Sequence, residues 1–164
     1  MMNKIQQIIV IALLLLIALY LQEIPSSNLV QGVLPEWPLL LVIALSASSR
    51  YRLAIAFAFV VGLFQDVFLG VPTLGLHAAI YTLIGFIMVS ARNYFTNLSV
   101  LIQAVFVAIV VLIKVFVVSL YYAILFSGPT HFWTLLSVPF SLIAWPLVQL
   151  AVTFFLSFFD EHTS

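Results

Sequence analysis

Apolar residues in this chain come in long blocks separated by short polar or turn-forming breaks, and crossing a hydrocarbon core takes about 17 to 25 residues of helix. The blocks predict six helices, over about residues 5–21, 33–48, 53–69, 74–89, 98–126 and 132–159. In the second, the uninterrupted apolar part covers only residues 38–45, and Glu36 is expected at the membrane interface. The sixth contains Pro139 and Pro146, which a membrane helix accommodates when neighbouring groups bond the carbonyls that proline frees. The breaks carry turn chemistry, as in Ile24-Pro25-Ser26-Ser27-Asn28, Ser46-Ala47-Ser48-Ser49, Arg92-Asn93 and Ser127-Gly128-Pro129-Thr130.

Composition turns this pattern into a class. The 164 residues are 65% apolar and 6% charged, with a mean hydropathy of +1.31, which excludes a water-soluble globule. Five basic residues balance five acidic ones, so no basic surface exists for nucleic acid. The absence of Cys removes disulfides, thiolate metal sites and thiol nucleophiles. The expected architecture is all-α: a polytopic membrane protein forming a single transmembrane domain of six helices. The first block is read as a retained helix, not a cleaved leader, because Tyr20-Leu21-Gln22-Glu23-Ile24-Pro25 offers no small-x-small cleavage site. Lys4, Arg50, Arg52 and Arg92 all fall at the N-terminus or in alternate connectors, and basic residues in short loops stay cytoplasmic. Both termini are therefore expected on the cytoplasmic side.

Few residues carry chemistry. Asp66 and Lys114 are the ionised side chains inside the expected spans, and an intramembrane charge calls for a partner. Asp66 lies about 21 Å along its helix from Arg52, and Lys114 about 26 Å along its own from Asn97, at 1.5 Å per residue. Those depths allow the two to pair, as a structural bridge or as part of a proton or ion relay. Asp66 also recurs with Gly62 and Gly70 every four residues, which places all three on one helical face open to close approach by a neighbouring backbone. On that reading Asp66 is a capping or turn-bonding carboxylate. Gly75 follows the turn at Val71-Pro72-Thr73, and His77 comes just after it. His77 reads either as a packing residue or as an acid/base partner of Asp66. Ser137, Ser141, Gln149, Thr153 and Ser157 stripe the last helix with groups able to bond across to its neighbours. No catalytic triad, metal-ligand spacing or phosphate-binding glycine loop is present in the sequence, and no cofactor is expected.

The stretch Pro35-Glu36-Trp37-Pro38-Leu39-Leu40-Leu41, the core from Gly62 through Asp66 and Gly70 to Gly75, and the following Leu76-His77-Ala78 resemble the bacterial rod shape-determining MreD family over the whole chain. Leu34 stands where many members have Arg, and the turn between Gly70 and Gly75 is one residue longer than the usual form. The resemblance implies a non-enzymatic scaffold in the bacterial inner membrane. Its partners would be MreC most directly, and MreB, RodA and the transpeptidase partner of RodA either directly or through MreC. It also implies a fold similar to the S components of energy-coupling-factor transporters. From that fold comes an alternative reading, the substrate-binding subunit of a vitamin-type transporter, although the Ala-x-x-x-Ala spacing such subunits use lies at Ala54 and Ala58 on the third helix, not on the first. An intramembrane enzyme or flippase lacks a catalytic constellation.

Overall fold

The structure is a computed structural model that describes residues 4–22, 34–48, 54–68, 75–126 and 132–161. Those residues form six α-helices: α1 (Lys4–Gln22), α2 (Trp37–Ala47), α3 (Ala54–Phe68), α4 (Leu76–Thr96), α5 (Val100–Phe126) and α6 (Ser137–Glu161). A single 3-10 segment, Phe132–Leu136, leads into α6. Among the described residues, the stretches Leu76–Thr96, Val100–Leu125 and Thr134–Phe155 are long and apolar enough to cross a membrane, while α1, α2 and α3 contribute shorter apolar helices.

The shortest of the six helices is the middle of the molecule. α2 packs against α1, α3, α4, α5 and α6, and every residue from Pro38 to Ala47 is buried. Its 11 residues rise only about 16 Å, well short of a hydrocarbon core. A helix this short is tolerated at membrane depth because protein, not lipid, surrounds its polar ends. It begins later than the pattern predicts because Pro38 favours the first turn, where a missing N–H leaves no bond unmade. Glu36 is consequently buried just before the helix, not at an interface. At the other end of α2, the Arg92 guanidinium donates to the Ser46 carbonyl through Nε at 3.3 Å and Nη2 at 3.2 Å, supplying charge where the helix dipole favours it.

Two boundaries differ from expectation for related reasons. α4 continues to Thr96, so Arg92-Asn93 is helical and not a connector: nothing between Val89 and Thr96 breaks a helix, and the polar residues there fit its final turns. Pro139 falls in the first turn of α6, leaving Pro146 as the proline inside the helix.

Burial follows helical periodicity. On α5, Ala104, Val107, Ala108, Val111 and Val115 turn inward along the spacing of one helix face, and Lys114 lies on the same side. Leu101, Val105, Leu112, Ile113 and Phe116 of that helix are exposed. So continuous an apolar face is far larger than a protein in water presents, and it suits contact with lipid chains.

Candidate functional site

α3 and α4 approach more closely than side chains would ordinarily allow. A Cβ placed on Gly62 would stand 2.6 Å from both the Ala78 backbone nitrogen and the His77 carbonyl oxygen, so the two backbones touch there. Ala54, Ala58 and Ala78 are buried along the same seam, and a Cβ on Gly85 would come within 2.9 Å of the Ala58 Cβ. Small residues at such contacts let membrane helices gain packing that hydrophobicity cannot supply in lipid.

This approach brings Asp66, one turn beyond Gly62 on α3, to the start of α4. Gly75 there has φ 109°, a left-handed conformation that side chains rarely adopt, and it offers no side chain to cap the helix. Asp66 supplies the cap from the neighbouring helix. Its Oδ2 accepts from the backbone N–H of Gly75 at 2.9 Å and of Ala78 at 3.2 Å. Its Oδ1 accepts from the backbone N–H of His77 at 3.1 Å and from the His77 ring Nδ1 at 2.9 Å. Helix starts leave four backbone donors without intrahelical partners, and a carboxylate beside them is favoured by the helix dipole as well. Because the carboxylate can only accept, the hydrogen of the His77 ring sits on Nδ1. Beside them, the hydroxyl of Tyr81, one turn along α4 from His77, donates to the side-chain oxygen of Gln65, the neighbour of Asp66 on α3, and the His77 and Tyr81 rings meet edge to face with centroids 6.2 Å apart. Asp66, His77, Tyr81 and Gln65 are all buried.

The second buried charge finds a different partner from the one its depth suggested. Lys114 Nζ lies 2.7 Å from Glu36 Oε1, and Asp66 is committed to α4. The Asp66–Lys114 pair that their depths allowed is not the one formed: Lys114 pairs with Glu36. The physical reason is the shortness of α2: its start lies within the bundle, opposite the middle of α5, and carries Glu36 to the ammonium. The backbone N–H of Glu36 donates to Ser141 Oγ on α6 at 3.2 Å. Both this pair and the Asp66–His77 pair are buried inside the bundle. Pro35 is buried, and Trp37, half-buried, donates its backbone N–H to the Pro35 carbonyl at 2.8 Å. This tight turn holds Glu36 between them.

The arrangement is a clasp, with buried polar bonds joining α3 to α4, α2 to α5 and α2 to α6. A model of the rod shape-determining protein MreD family matches residues 2–159. The chain belongs to the MreD family. It is thereby a protein of rod-shape determination, with helices suited to a membrane. No curated protein and no solved structure matches it.

In this MreD-family chain, Gly62, Asp66, Gly75 and His77 converge at the α3–α4 junction, and Lys114, Pro35 and Trp37 gather around Glu36. Gly70 lies outside the described residues. Gln65 and Tyr81 at this junction and Gly85 farther along the α3–α4 seam were not singled out from the sequence, and Glu36 was read there as an interface residue. For two of them a signal exists, since His77, Tyr81 and Gly85 recur every four residues on α4 and so share one face. Among the described residues, no group of three or more acidic, His or Cys side chains is arranged to hold a metal.

Proposed function

We propose that this chain is a non-enzymatic scaffold of the cell-elongation machinery. It would be a single six-span domain in the bacterial inner membrane with both termini cytoplasmic. It binds MreC, and through MreC it couples peptidoglycan synthesis by RodA and its transpeptidase partner to the MreB cytoskeleton. The observation that carries this reading is the use made of the buried charges. Asp66 accepts four hydrogen bonds from the start of α4, and Lys114 holds Glu36. Intramembrane ionisable groups that move protons or substrates face a pathway, whereas these join helix to helix. Membership of the family supplies the biological setting, and the basic residues at positions 4, 50, 52 and 92 support the orientation. The likeness to S components that the resemblance implies belongs to the same proposal, and superposition of an experimentally solved structure tests it.

The functional test is purification of the full chain in mild detergent from cells expressing the rod machinery, combined with depletion. MreC is expected to co-purify in roughly stoichiometric amounts, and depleted rods are expected to become round while wall synthesis continues. Depleted cells that keep their shape but require an added vitamin, with a purified chain that binds that vitamin and ignores MreC, would replace the scaffold with the transporter-subunit reading.

A further inference from the structure

At the end of the bundle away from the Asp66 cap, α2, α4, α5 and α6 surround an open pocket of about 290 Å³. Ala44, Ala47, Phe95 and Val152 give it apolar walls. Two of its lining side chains are almost wholly buried and yet carry an atom without a partner. Trp145 is 1% exposed and its indole Nε1 is unbonded; Gln103 is 4% exposed and its Oε1 is unbonded. The identity of the free Gln103 atom is secured by its other end, because Nε2 donates to the carbonyls of Phe95 at 3.1 Å and Leu98 at 3.0 Å. Buried polar groups are rarely left unsatisfied, and those that are call for a ligand or another partner.

The remaining polar lining sets the kind of ligand. Gln149 Oε1 is also unbonded. The hydroxyls of Thr96, Thr153 and Ser157 donate to the carbonyls of Arg92, Gln149 and Phe154 at 2.9, 2.8 and 3.0 Å, which leaves their oxygens as acceptors. The pocket lining therefore carries several acceptors, with the Trp145 indole and the Gln149 amide nitrogen as donors, and no Asp, Glu, Lys or Arg lines it. An anion alone would meet lone pairs without a countercharge. A neutral zwitterion that brings several N–H donors and the acceptor oxygens of a phosphodiester meets both kinds of group.

A second cavity indicates what carries that zwitterion. An apolar groove of about 190 Å³ between α1, α2 and α6 shares Val152 with the pocket and extends past Leu147 and Leu41 towards Trp37 and Leu14. A headgroup in the polar pocket would have an acyl-chain path beside it. We propose that the pocket binds the headgroup of an aminophospholipid. The ammonium donates to the carbonyls of Gln103 and Gln149 and to the neighbouring hydroxyl oxygens, a phosphodiester oxygen accepts from Trp145, and one acyl chain lies along the groove.

The test is native mass spectrometry of the full chain equilibrated in mild detergent with phosphatidylethanolamine and phosphatidylcholine of matched acyl chains. Methylation removes every N–H donor of choline, so phosphatidylethanolamine is expected to be retained roughly tenfold better, the worth of about one charge-assisted hydrogen bond. Trp145→Phe, which keeps a ring and loses the donor, and Gln149→Leu are each expected to reduce that retention by about the same factor. Leu101→Ala on the lipid-facing side of α5 is expected to leave it unchanged. Should Trp145→Phe fail to fold, Gln149→Leu at a half-buried position carries the comparison. Equal retention of the two lipids, preference for phosphatidylglycerol, or retention indifferent to both variants would overturn the proposal. So would glycerophosphoethanolamine binding as tightly as the lipid, which would make the ligand a free amine. A lysine-rich peptide bound in place of any lipid would make it a protein partner instead.

Discussion

Lys114 and Glu36, 78 residues apart in the chain, meet with Nζ and Oε1 separated by 2.7 Å. The contact ties the middle of α5 to the entry of α2, the helix around which the others are arranged. Removing one member leaves the other buried without its countercharge, at a cost of about 3 to 5 kcal/mol. Lys114→Met and Glu36→Gln are each expected to lower the melting temperature in detergent strongly, and the double variant is expected to recover most of that loss. A double variant no more stable than the worse single one would show that the pair contributes little.

Asp66 stabilises α4 from outside that helix, so its loss should be local before it is global. Asp66→Ala removes all four bonds and Asp66→Asn keeps an acceptor, each charge-assisted bond being worth about 1.5 to 3 kcal/mol. Hydrogen exchange at Gly75, His77 and Ala78 is expected to speed up in the order wild type, Asn, Ala. Unchanged protection at those amides in Asp66→Ala would remove the cap from the account.

Gly62 and Gly75 should fail for different reasons. At Gly62 any Cβ meets the Ala78 backbone, so Gly62→Leu is expected to separate α3 from α4 and abolish accumulation. At Gly75 an added Cβ would find nothing within 4 Å, but φ is +109°, so Gly75→Ala should cost only the strain of a left-handed residue, about 1 to 2 kcal/mol. Ala56→Leu, at an exposed position of α3, is the control and is expected to be tolerated. Equal effects at Gly62 and Ala56 would contradict the close contact.

Tyr81→Phe strands the buried Gln65 side-chain oxygen and is expected to destabilise the chain by about 1 to 3 kcal/mol. Combining it with Gln65→Leu removes both polar ends and should restore part of the loss. Thermal unfolding of the three variants checks this, and an additive double variant would dissociate the two residues.

The orientation is open to a direct measurement because the chain contains no Cys. A single Cys introduced at Ser49 is expected to resist an impermeant thiol reagent added outside intact spheroplasts and to react after permeabilisation. Labelling from outside would reverse the proposed topology.

Six helices and their all-α class were legible in the order of residues, because apolar blocks are local properties that each segment carries alone. The small-residue face through Gly62 and the unusual position of Asp66 were legible for the same reason. The choice of partner was not. Lys114 had a suitable depth for Asp66, yet it pairs with Glu36 because α2 is short, begins inside the bundle and brings an acidic side chain there from a position that local hydropathy assigns to the interface. Likewise, the four-residue spacing of Trp145 and Gln149 puts them on one face of α6, but nothing in the sequence relates them to Gln103 on α5; the packing of those two helices against the ends of α2 and α4 creates the pocket. A charge or hydrogen bond acts over a few ångströms of space, and only the packing of helices distant in sequence determines which groups come within that range.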